Sequence, residues 1–164
     1  MLTLLSLLLV VTDSRDTESQ TGAIKHTFDP FKNLRLTDGF GIGEADRAFS
    51  DRRTLAASAN EDLDLAGGFT DPFGSSATMA KVKLLVIYNR STTQSLMVKS
   101  AATNGALLGF GATAHSRTIS PGSFEVYYNP VGWAITAGTA DLINVANGAG
   151  ASADYDIYGV GTSA

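Results

Sequence analysis

The chain has no cysteine, and that absence removes disulfide scaffolds, thiol nucleophiles and cysteine-ligated zinc or iron–sulfur sites together. Charge is scarce as well. Only 17% of the 164 residues are Asp, Glu, Lys or Arg, against a typical ~25%, so uncharged groups must cover much of the surface. The 12 basic residues make no basic run, and residues 101–164 hold a single cation, Arg117, against Glu125, Asp141, Asp154 and Asp156. Phosphate recognition needs clustered cations that release counterions, so this distribution argues against nucleic acid as a partner. Histidine is limited to His26 and His115, and proline to 4 residues. Glycine is plentiful, at 17 residues without a collagen-like period, which points to many tight turns. An apolar share of 44% argues against extensive disorder. By size scaling, such a chain buries roughly 70% of the surface it exposes when unfolded.

Residues 2–11 (LTLLSLLLVV) resemble the apolar core of a secretory signal, but no Lys or Arg precedes them and no small-x-small cleavage site follows. The expectation is that this segment is retained. Ten residues are too few to span a bilayer as a helix, which takes about 20, so no membrane partner is expected. An apolar arm or strand of this kind must dock on its own domain or on a neighbouring subunit. Residues 12–22 are polar and residues 29–46 are punctuated by Gly and Asp, which reads as an extended arm with short strands. Ile24, His26 and Phe28 share one face if extended, with Lys25 and Thr27 on the other. Residues 45–57 suit a short helix or a strand equally well.

From about residue 54 onward, short β-prone runs recur, each closed by Gly, Asn, Pro or Asp, at the spacing of a sandwich or barrel. Strands are expected at 61–66, 79–89, 94–101, 105–110, 116–120, 123–128, 132–136, 140–146 and 152–160. No window sustains a 3.6-residue period. Leu63 and Leu65 oppose Asp62 and Asp64, and Tyr155 and Ile157 oppose Asp154 and Asp156, as in half-buried strands. At 81–88, Val82, Leu84, Val86 and Tyr88 make one apolar face, while Lys81, Lys83, Leu85 and Ile87 make a second that is half apolar and needs cover too. An interior strand accounts for this, and so does a subunit contact.

Candidate chemistry is thin. A Ser/His/acid set around His115 and Ser116, with Asp141 or Asp154, lacks the G-x-S-x-G elbow that would present its serine. His26 reads as a packing residue. The glycines of 39–43 and 109–111 match neither G-x-G-x-x-G nor a Walker pattern, and read as turns. Glu61, Asp62 and Asp64, and likewise Asp154 and Asp156, carry oxygens that calcium uses, but they sit in strands rather than in a ligand loop. The sequon Asn89-Arg90-Ser91 falls at a strand end. These residues point to no catalytic, cofactor-binding or metal site, and the chain is not expected to be an enzyme.

Four segments carry a family resemblance: residues 53–74, containing L-D-L-A-G-G-F-T-D-P-F-G; residues 80–90, containing K-L-L-V-I-Y-N; residues 135–147, I-T-A-G-T-A-D-L-I-N-V-A-N; and residues 153–161, containing Y-D-I-Y-G-V-G. In this order they resemble a family of small tailed-bacteriophage virion proteins of the capsid decoration or cement type, over about residues 50–164. The resemblance implies an all-β fold, a jelly-roll-like antiparallel β-sandwich at 53–164 behind an extended N-terminal arm at 1–52. It also implies a structural role without catalytic residues. On this reading the protein lies on the virion capsid surface, and in the host cytoplasm during assembly. It would bind over junctions of the major capsid protein and to copies of itself, as a dimer or other small homo-oligomer. A different reading is a receptor- or glycan-binding module of a tail or fibre, with Trp133, Tyr127 or Tyr128 stacking on a sugar, although those aromatics also suit a sandwich core. A third is a secreted adhesin subunit, which would require a cleaved N-terminus.

Overall fold

The computed structural model describes residues 34–112 and 114–164, and ahead of them three short strands: β1 (Leu5–Leu7), β2 (Glu18–Ser19) and β3 (Gly22–Ala23). The rest of the leucine-rich run, the rest of the polar stretch behind it and the Ile24/His26/Phe28 face lie outside the described residues. Nine further strands follow: β4 (Leu34–Leu36), β5 (Arg47–Leu55), β6 (Asn60–Asp64), β7 (Lys81–Asn89), β8 (Leu96–Ser100), β9 (Ser116–Ile119), β10 (Phe124–Ala134), β11 (Leu142–Asn147) and β12 (Ala153–Thr162). Among the described residues there is no helix. Two four-stranded antiparallel sheets, ordered β10-β7-β12-β5 and β6-β11-β8-β9, form an all-β sandwich, while β1 pairs with β4 and β2 with β3.

Residues 45–57 supply a strand. Because β5 pairs with β12 from Arg47 through Leu55, the expected boundary between residues 52 and 53 falls inside a sandwich strand. Three expected strands are also revised. Residues 105–110 give only a bridge from Gly105 to Leu142 before the chain turns, with Leu108 at a φ of 37°. The separate runs 123–128 and 132–136 merge into β10, whose pairing with β7 shifts register between Tyr128 and Trp133. At that break Asn129 Oδ1 accepts the Val131 amide at 3.0 Å, and Pro130, which has no N–H to give a ladder, sits on an edge strand.

The core lies between the sheets. Leu63, Leu65, Leu85, Ile87, Leu96, Val98, Ile143, Val145, Tyr155 and Ile157 are buried there, and Phe49 stacks on Phe69 with ring centroids 3.9 Å apart. The facing read for β6 and for Tyr155 and Ile157 is the one observed. The facing read for β7 is not. Both of its neighbours skip Lys83, since Val160 and Tyr128 pair with Leu84 while Gly161 and Trp133 pair with Val82. This bulge reverses the alternation. Val82 therefore joins Leu85 and Ile87 in the main core, while Leu84 and Val86 face outward into a second cluster with Leu36, Ala45, Ala48, Val126 and Val160. The interior position of β7, with cover on its outer face from residues 36–45, accounts for its two apolar faces.

Lys83 is fully buried at the bulge, and its Nζ donates to the carbonyls of Gly41 and Glu44, so the lysine ties residues 37–45 down over the sheet. Burial pushes its pKa down, helped by the charge of Lys81 and opposed by Glu44 and Asp46. At the β5 edge the two sheets are joined by polar groups. Glu61 accepts the Tyr155 hydroxyl at 2.7 Å and Arg53 Nη1 at 2.8 Å. Burial, and then the bond to Glu61, pushes the Tyr155 phenol well above its ordinary range.

Candidate functional site

The outer face of the β10-β7-β12-β5 sheet carries a group of aromatic and charged side chains. Pairing aligns Arg52, Asp156, Tyr88 and Phe124 in one row across the four strands, and Ser50, Tyr158, Val86 and Val126 in the next. Directly paired residues share a face. Phe124, Tyr128 and Tyr158 are exposed on this face, with Tyr88 half-buried beside them. Toward the β5 edge the surface sinks into a shallow open depression of about 300 Å³ lined by Ser50, Asp51, Arg52, Asp156 and Tyr158.

Asp156 organises this depression. Its carboxylate is buried and accepts Arg52 Nε at 2.7 Å on Oδ1 and Arg90 Nη1 at 3.1 Å on Oδ2. Arg90 also lies over the Tyr88 ring, 5.9 Å from its centroid. The bond from Arg52, aided by that from Arg90, holds the Asp156 carboxyl below the usual carboxylate range despite burial. Folding thus favours the ionised form. The resulting stabilisation is complete above the ordinary value of about 3.9 and is lost as pH falls below it toward the lower folded value. Asp156→Asn is expected to lower the thermal midpoint at pH 7 by about 2–4 °C. Because the wild type alone loses the bond in acid, the two midpoints should converge as pH falls below about 4. A gap that stays constant over that range would remove Asp156 from the acid response.

The residues singled out from the sequence are dispersed. His115 Nδ1 lies 2.9 Å from the Phe110 carbonyl oxygen, Asp141 Oδ2 accepts the Gly138 amide, and Asp154 accepts the Thr54 hydroxyl, so no Ser/His/acid set assembles around them. Glu61 is spent on Arg53 and Tyr155, Asp62 accepts Asn144 Nδ2, and Asp64 accepts the Ala66 amide. Among the described residues no three His, Asp or Glu side chains gather as a metal site. Asn89 of the sequon is fully buried, with Nδ2 donating to the carbonyls of Gln94 and Ile119. Of the three aromatics named for sugar stacking, Tyr127 is buried, Trp133 packs against the core, and only Tyr128 is exposed.

Sequence reasoning missed Arg52, Arg90 and Tyr158 as a group. Their one signal was the Tyr155-Asp156-Ile157 alternation, which puts Tyr158 on the side of Asp156 but says nothing of partners from other strands. Nor did it point to the apolar side chains that two turns hold out. In residues 70–76, Asp71 Oδ1 accepts the amides of Phe73 at 2.9 Å and Ser75 at 2.8 Å, Gly74 N–H donates to the Asp71 carbonyl, and Thr70 bridges to Ser76. Gly74 supplies the positive φ of 86° that the turn requires. At its tip Phe73 is 90% exposed. In residues 37–45, Glu44 Oε2 accepts the Gly41 amide at 2.8 Å and Gly43 donates to the Pro130 carbonyl. With Lys83 beneath, this turn presents Phe40 and Ile42, the latter 75% exposed.

No protein-family model matches the chain, and no curated protein matches its sequence.

Proposed function

We propose that this protein is a non-enzymatic structural protein of a tailed-bacteriophage virion, a decoration or cement protein that docks on major capsid protein subunits and on copies of itself. One observation carries the reading: large apolar side chains, Phe73 on one turn and Phe40 and Ile42 on another, are held out into solvent by turns whose polar groups are spent internally. An exposed apolar group opposes solubility, whereas a preorganised one binds without a large ordering cost. Anchors of this kind suit an apolar socket on a protein neighbour. The resemblance of residues 50–164 to phage virion proteins supports the major capsid protein as that neighbour. The strand order favours the jelly-roll form of the sandwich, because the first and last of its eight strands, β5 and β12, are adjacent and chain order alternates between the sheets except at β8 to β9.

Capsids assembled without the protein are the material for the test. Adding the full chain is expected to raise their thermal midpoint with saturation, because a ligand that binds only the assembled lattice stabilises it by mass action. Phe73→Ala should leave the isolated protein as stable as before and weaken capsid binding by tenfold or more, in line with loss of a buried aromatic anchor. Unchanged capsid stability, with a copy number of about a dozen or fewer per virion, would move the protein to a tail station and overturn the cement reading.

A further inference from the structure

We propose that the depression on the outer face of the β10-β7-β12-β5 sheet is a binding site for a neutral saccharide, independent of the turns through which the protein docks. Arg52 gives Nε, and more weakly Nη2, to Asp156, and Arg90 gives one Nη1 bond to the same carboxylate. Each guanidinium carries five N–H donors, so both keep several beyond these bonds, on side chains 61% and 41% exposed. The buried Asp156 fixes where those donors stand. Tyr158, 44% exposed, offers a ring face beside them and a hydroxyl 3.5 Å from Asp156 Oδ2. Tyr88 is its diagonal neighbour across the β12–β7 pair, and Phe124 continues the aromatic row onto β10.

A ligand matching this surface needs hydroxyls along one edge and an apolar C–H face. A pyranose has both. Its hydroxyls meet the oriented guanidiniums and the Ser50 hydroxyl, and its C–H face covers the Tyr158 ring. The open shape suits a sugar at a chain end or a loop of glycan rather than a ligand that must be engulfed, and its volume sits at the low end of small-molecule sites. Charge decides between saccharide classes. On this face the guanidiniums of Arg52 and Arg90 are answered by the carboxylate of Asp156 and, bonded to Thr54 next along the strand pair, that of Asp154, with Asp51 at the rim. No net positive field remains to draw a phosphate, a sialic acid or a uronic acid.

The test uses the full chain on a printed array of neutral oligosaccharides of glucose, galactose and N-acetylglucosamine, with sialyllactose as the acidic arm. Hits are then titrated in solution while backbone amide shifts are followed by NMR. Binding of a neutral oligosaccharide is expected, with shifts concentrated at residues 50–52 and 156–158. Tyr158→Ala and Arg90→Ala should each weaken it at least tenfold, and Tyr158→Phe should keep most of it by retaining the ring. Shift mapping on the wild type locates the site even if a variant fails to fold. The proposal is overturned if no neutral oligosaccharide binds at millimolar concentration, if only sialyllactose binds, or if the shifts map elsewhere. Capsid attachment can succeed or fail separately, so the two readings are told apart.

Discussion

Gly161→Ala is expected to destabilise the protein by about 4 kcal/mol. Gly161 follows the register shift in β12, where it pairs with Arg47 on one side and Val82 on the other. A methyl there would overlap the Lys81 carbonyl oxygen and press on Met79 Sδ. Backbone on the paired strand cannot step aside as a side-chain end does, because neighbouring ladder bonds such as Ala80 N–H to the Thr162 carbonyl, at 2.7 Å, hold it in place. Relief requires the strands to part at the centre of the sheet. Against a typical stability of about 5–15 kcal/mol, the loss corresponds to a thermal midpoint lower by about 8–16 °C. Gly148→Ala is the matched control, since nothing lies within 4 Å of a methyl there, and its change should stay within about 0.5 kcal/mol. Equal denaturant midpoints for the two variants would show that the strand pair has room.

Asn147→Ala is expected to cost about 3 kcal/mol, and Asn147→Asp more. The buried Nδ2 donates to the carbonyls of Leu55 at 3.2 Å, Ala56 at 3.0 Å and Ala151 at 2.9 Å. It thereby fastens the β5–β6 turn to the β11–β12 turn, beside the Ser58 amide bond to the Gly148 carbonyl. Alanine removes this donor from all three carbonyls, leaving that of Ala56 with the Ala59 amide. Aspartate, nearly the same shape, replaces the donor with negative charge facing carbonyl oxygens, so shape and hydrogen bonding separate cleanly in the pair. Urea denaturation should rank the wild type above Asn147→Ala and Asn147→Ala above Asn147→Asp. An aspartate variant as stable as the wild type would show that the amide acts only by filling space.

The sandwich was legible wherever burial is one-sided. At Leu63 and Leu65, and at Tyr155 and Ile157, strict alternation with aspartate specified the inner face, because a half-buried strand reads out its environment every second residue. The same rule failed at β7. One unpaired residue, Lys83, shifts the period, and with apolar residues on both sides no polar position marked the slip. The candidate site was less legible still. Asp156 read as a solvating carboxylate on an exposed face, yet its partner Arg52 is 104 residues away in the chain. Asn89 and Asn147 read as strand-end or turn residues, although both are buried donors to loop carbonyls.

By itself, then, the sequence determined the class of structure: short β-branched and aromatic runs closed by turn residues exclude helices, and the lack of cysteine excludes thiol chemistry. It also determined the turn at Asp71-Pro72-Phe73-Gly74, whose interactions are local. Tertiary structure alone decided the facing of β7, the burial of Lys83 beneath residues 37–45, and the meeting of Arg52, Arg90, Asp156 and Tyr158 on one sheet face. The division has a physical cause. Turns and alternation depend on neighbours in the chain, whereas bulges and cross-strand ion pairs depend on which strands become adjacent, and that choice is made by burying one shared core between the sheets.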